Sequence, residues 1–189
     1  MNETLPDDEP LFPEADIVYA KFWPRLGASL IDTFILVLIT VPLTYYNVIA
    51  WKIPGLFIMT SLFTICYKPG MEFRYGATLG KMAVGILIVG NQFQRVTLKE
   101  ELMRVSFYLV PSIIQELMTA PIYFSGNLNK IHSYHEYNNY IAATSPALYI
   151  LNIIVFILLV IDCITFFSNE QKRSLHDLYA GTYVIESEK

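Results

Sequence analysis

The feature that most constrains this chain is the stretch Leu26–Tyr46, about one bilayer's worth of residues broken by a single charge, Asp32. A helix that crosses the roughly 30 Å hydrocarbon core needs about 20 mostly apolar residues. Three more stretches meet or approach that length: about 48–67 with Lys52 near its start, 105–124 with Gln115 and Glu116 inside, and 147–167 with Asn152 and Asp162 inside. Trp23, Tyr45, Tyr46, Trp51, Tyr67, Tyr108, Tyr123, Phe166 and Phe167 stand near their ends, the headgroup depth that indole and phenol rings favour. Composition agrees: 54% of residues are hydrophobic and only 16% charged, well under the roughly 25% of an ordinary soluble domain. The expectation is an all-α membrane protein with four transmembrane helices.

Residues 1–16 hold six acids, three prolines and no base, and read as an acidic disordered tail extending to about residue 19; a signal peptide would need a basic start and an apolar run. The membrane domain is then 20–187. Thirteen Lys and Arg against 17 Asp and Glu leave no basic excess for phosphates, so nucleic acid is not an expected partner. With both termini in the cytoplasm, the inner segments hold eleven Lys and Arg, and the outer ones only Lys52 and Lys130. That bias sets the expected orientation in a plasma (inner) membrane. Cys66 and Cys163 both lie in apolar runs and read as free buried thiols.

Two stretches mirror each other: TLGKMAVGILIV at 78–89 and SLHDLYAGTYVI at 174–185. Each reads as a short amphipathic helix, a glycine stop at Gly85 or Gly181, and a short strand. Each follows a helical hairpin, so the chain reads as two pseudo-repeated hairpins with helices and strands on the cytoplasmic face. The strands Ile86–Val89 and Thr182–Ile185 are expected to pair, because isolated strands leave backbone groups unsatisfied.

Arg25-Leu-Gly-Ala-Ser-Leu-Ile-Asp32, Gly76-Ala-Thr-Leu-Gly-Lys81 and Ser174-Leu-His-Asp-Leu-Tyr-Ala-Gly-Thr182 together resemble the RDD family of integral membrane proteins over about residues 20–185. The family's arginine and two aspartates fall on Arg25, Asp32 and Asp177. The resemblance implies cation/proton transport, proposed for some members, or a scaffolding role in membrane complexes, proposed for others. Pro111 and Gln115-Glu116 in the third span depart from the family pattern.

An unpaired carboxylate inside a bilayer costs about 2.5–3.5 kcal/mol on insertion scales, so Asp32, Glu116 and Asp162 must be protonated, partnered or hydrated. All three are acids, which suits cations or protons better than anions, and they form the candidate cation or proton site. Arg25, Asp32, Lys81, His176 and Asp177 form the expected family-motif network. Arg25 is expected within pairing reach of Asp32 or Asp177, and Lys81 aligns with Asp177 in the repeat as another candidate pair. Gly80, Gly85 and Gly181 are the structural glycines. Thr97 and Glu100 read as a capping box. His132, His135 and Glu136 in the outer loop 127–140 have metal-like spacing but lack further ligands, so they read as a solvated loop with no metal. No spacing supplies a triad, metal centre or cofactor loop, so no enzymatic activity and no cofactor are expected. Lipid, a homo-oligomer or membrane-protein partner, and monovalent cations or protons remain as partners. The reading is cation/proton transport or sensing, with a non-catalytic scaffold as the alternative.

Overall fold

The computed structural model describes residues 17–187. The acidic stretch 1–16 therefore lies outside the described residues. Its assigned continuation does not: Tyr19 bridges Ile185 and the Ala20 amide donates to Val184 O at 2.9 Å, so residues 17–19 belong to the fold and not to a tail.

Seven α-helices and two strands are described: α1 (Phe22–Tyr46), α2 (Pro54–Tyr75), α3 (Leu79–Val84), β1 (Ile86–Val89), α4 (Leu98–Phe124), α5 (Tyr134–Thr144), α6 (Ala147–Ser168), α7 (Leu175–Ala180) and β2 (Tyr183–Glu186). Pro24 sits in the first turn of α1, where its missing N–H is no loss. α1 runs on into a π-helical turn, Asn47–Trp51, and the chain reverses at Lys52 in the left-handed region (φ 55°). Buried Asn47 holds that reversal: its side chain donates to Ile53 O at 3.1 Å and accepts from the Ile53 amide at 2.8 Å. The second apolar helix therefore begins at Pro54 and not at Val48.

Three segments, Phe22–Trp51, Leu98–Phe124 and Ala147–Ser168, are long and apolar enough to cross a membrane. α2 has 22 residues and carries Lys68, Glu72 and Arg74 in its C-terminal part. Large apolar side chains point outward along α1 and α6, Leu30, Phe34, Ile150 and Phe156 among them, each more than 60% exposed. Such a surface matches hydrocarbon and not water.

The chain divides into two compact units whose limits fall inside the long helices. Among the described residues the first comprises 17–33, Lys68–Phe107 and 159–187. Its centre is β1 paired antiparallel with β2, Ile86 opposite Glu186 and Val89 opposite Tyr183, as expected from the sequence but with β2 one residue later. Ala20, Ala28, Ile86, Ile88, Val96 and Val184 form the core there. The Thr97 capping box opens α4: the Thr97 amide donates to Glu100 Oε2 at 2.8 Å, and the Glu100 amide to Thr97 Oγ1 at 3.3 Å.

The second unit comprises Phe34–Tyr67 and Tyr108–Leu158. Its expected outer loop is instead a 3-10 turn, Asn127–Lys130, followed by α5. Ser133 caps α5, and Tyr137, Tyr140 and Ile141, spaced on one helical face, pack on Val48, Ile122, Tyr123, Leu128 and Ile131. The polar composition of this stretch hid that stripe of aromatic contacts. Lys52 Nζ ties the 3-10 turn down by donating to Asn129 O and Ile131 O at 3.2 and 3.0 Å.

Candidate functional site

The site lies in the first unit and is built around the two six-residue helices. Thr78 caps α3 and Ser174 caps α7, and each helix ends on a left-handed glycine, Gly85 (φ 71°) or Gly181 (φ 73°). A carboxylate from a long helix pins the second residue of each. Asp32 of α1 accepts from the Gly80 amide at 2.8 Å and from the Thr78 hydroxyl. Asp162 of α6 accepts from the His176 amide at 3.1 Å and faces His176 Nδ1 at 2.7 Å. Gly80 is required because a Cβ there would sit 2.1 Å from Ala28 O.

Beneath these caps runs a chain of alternating charges. Arg25 Nη1 lies 2.6 Å from Asp177 Oδ2, and Arg104 Nε 3.0 Å from Asp177 Oδ1. Arg104 Nη1 reaches Glu72 Oε2 at 2.6 Å, and Lys81 Nζ meets Glu72 Oε1 at 2.7 Å. Asp177 and Glu72 are wholly buried and Arg104 nearly so. Arg25 also donates Nε to Ala20 O at 3.3 Å and stands 5.1 Å over the Phe166 ring, an additional cation–π contact. Buried charges survive only when paired.

Burial shapes the titration of the groups on the short helices. Burial and the nearby Arg104 guanidinium push the Lys81 ammonium down to about 7, against the Glu72 carboxylate that favours its charge. Burial also lowers His176, against the pull of Asp177 and Asp162. The neutral ring suits its contacts, with Nδ1 donating to Asp162 and Nε2 accepting from Arg104 at 3.4 Å. Burial disfavours the Asp177 anion, yet the Arg104 and Arg25 guanidiniums together hold it well below the usual carboxylate range.

The sequence expected Arg25, Asp32, Lys81, His176 and Asp177 as one network, with Arg25 reaching Asp32 or Asp177; Arg25 takes Asp177. The alternative Lys81–Asp177 pair is replaced: Lys81 takes Glu72, while both Asp177 oxygens are engaged by Arg25 and Arg104. Asp32 and Asp162 each hold a different helix start, and Glu116 belongs to the second unit. There Glu116 Oε2 accepts from Ser61 Oγ at 2.7 Å beside an apolar groove of about 280 Å³ lined by Phe57, Ile58, Leu62, Ile113 and Leu117. Among the described residues no cluster suited to a metal occurs.

Sequence reasoning missed Glu72, Glu101 and Arg104. Their signal was modest: Glu72 sits among charges at the end of an apolar helix, and Glu101 and Arg104 are three apart at the start of another, hence on one face.

Residues 19–181 match the sequence model of the RDD family. Searches of curated proteins and of solved structures found no match.

Proposed function

The chain belongs to the RDD family, and from that premise we propose that it is a four-span, non-enzymatic membrane protein that moves or senses protons or monovalent cations. Lys81 carries this reading. Its ammonium lies 2.7 Å from Glu72 in a buried setting that brings its titration to about 7. A proton gained or lost there changes the charge against Glu72 and, through Arg104, against Asp177. Asp32, Glu116 and Asp162 are the acids of the same reading, and an incoming cation or proton would compete with the donors each now accepts from.

In this reading α1, α2, α4 and α6 are the spans, in two hairpins each followed by a short helix and strand. The excess of Lys and Arg on one side puts both termini in the cytoplasm, at the plasma (inner) membrane. Four spans enclose little polar volume, so a homo-oligomer is the working unit.

The test is flux. Proteoliposomes holding the purified chain and a pH-sensitive dye are given a sodium or potassium gradient. Wild type should collapse or build a pH difference, and Lys81→Gln, compared only as protein that keeps the wild-type size-exclusion profile, should slow it about tenfold. No cation-dependent pH change with wild type would reject transport.

One observation favours a scaffold as the second reading. Asp32, the acid deepest along α1, is engaged in capping α3. In that case Asp32→Asn would weaken assembly with partner proteins and leave ion movement unaffected.

A further inference from the structure

The buried charge array has one member that the pairing leaves over. Glu101 stands in the first turn of α4, one turn before Arg104, and is 0% exposed. Among the described residues no N–H or hydroxyl donor faces Oε1 or Oε2. The charged groups around it are Glu72 from α2, Lys81 from α3 and Arg104 from its own helix. Both cations are already spent: Lys81 Nζ is held by Glu72 Oε1, and Arg104 by Glu72 Oε2 and Asp177 Oδ1.

Charge balance makes the same point. Arg25, Arg104 and Lys81, when protonated, supply the three positive charges that pair with Glu72 and Asp177, Lys68 adds its field at Glu72, and Asp162 has the His176 donors. An ionised Glu101 would add a fourth negative charge, wholly buried and beside Glu72. Burying an isolated carboxylate is so unfavourable that such groups neutralise instead. Two adjoining carboxyls likewise resist ionising together.

We propose that Glu101 is a proton-binding site: in the folded protein it holds a proton and presents a neutral carboxyl to the Glu72 carboxylate. A proton fits this setting, whereas a metal ion there would face the Lys81 and Arg104 charges. Glu101 is thus a positioning partner for Glu72 whose charge state decides how firmly Glu72 holds Lys81 and Arg104. The inference deepens the proton-handling reading and rests on it only for what the proton is used for.

Infrared difference spectroscopy tests it on the purified full chain, in H₂O and D₂O at pH 7. A Glu116→Gln background removes the carboxyl of the second unit. The carbonyl band of a protonated carboxylic acid should be present in that background and lose one carboxyl equivalent when Glu101→Gln is added. The glutamine variant should melt close to its parent at pH 6 and increasingly above it as the pH rises, because it has no proton to release. An unchanged band, or a melting difference independent of pH, overturns the proposal. If Glu101→Gln yields no folded protein, ¹³C-carboxyl-labelled glutamate in the Glu116→Gln protein carries the test. One glutamate must keep a protonated shift at pH 7, and its absence overturns the proposal. A lost band with no cation-dependent flux would retain this site and reject transport; flux with an unchanged band would do the reverse.

Discussion

Arg25 Nη1 and Asp177 Oδ2 meet at 2.6 Å across 152 residues of chain, fastening the start of the first apolar helix to the last short helix. Asp177 is wholly buried and takes Arg104 on its other oxygen at 3.0 Å. Neither guanidinium can shed its charge, so the aspartate is the fixed point that makes their burial tolerable.

Asp177→Ala should therefore destabilise the protein severely. Removing one partner of a buried pair costs about 3–5 kcal/mol, and here two guanidiniums lose it. Arg25→Lys should also lose stability, because an ammonium lacks the fork that engages Asp177 and Ala20 O together. Melting temperature in detergent measures both, and wild-type values for Asp177→Ala would contradict the pairing.

Gly80 and Gly85 should respond differently to alanine. At Gly80 a Cβ would lie 2.1 Å from Ala28 O, a backbone atom that can yield only if α1 and α3 separate. Gly80→Ala should sharply reduce folded yield. Gly85 has open space but φ +71°, so Gly85→Ala should cost only about 1 kcal/mol. Fluorescence-detected size-exclusion profiles rank the two, and equal losses would count against the close contact.

Asp32→Asn should retain an acceptor for the Gly80 amide and lose roughly 1 kcal/mol, whereas Asp32→Ala should lose about 1–3 kcal/mol by leaving that amide without its partner. Thermal unfolding at one pH distinguishes them. The order Asn worse than Ala would show that charge, not capping, governs the site.

Acid should weaken the fold from pH 6.5 downward. His176 is lowered from 6.5 by burial, so below that pH the unfolded chain binds the proton that the folded ring refuses, and stability falls. Asp177 is held well below 3.8, so its contribution is present above that pH and lost beneath it. His176→Asn should flatten the melting-temperature slope between pH 6.5 and 5 and leave the steeper loss below 4. An unaltered slope would assign that proton elsewhere.

The eleven-to-two distribution of Lys and Arg predicts the orientation. In a background without Cys66 and Cys163, Lys130→Cys should react with an impermeant maleimide on intact cells, and Arg95→Cys only after permeabilisation. The reverse pattern would invert the topology.

Three of the four apolar lengths, the Thr97 cap, the glycine stops and the two short strands were legible in the sequence because each is local: hydrophobic runs, capping spacings and left-handed glycines act within a few residues. Asp32, Arg25 and Asp177 were legible as candidates because a charge beside or inside an apolar run must be answered somewhere. What answers it was not. The pairing of Lys81 with Glu72, the double engagement of Asp177 and the surplus carboxyl of Glu101 arise only where α1, α2, α3, α4 and α7 pack together. There every buried charge competes for the few partners within about 3 Å, a competition set by distances in space that no spacing along the chain encodes.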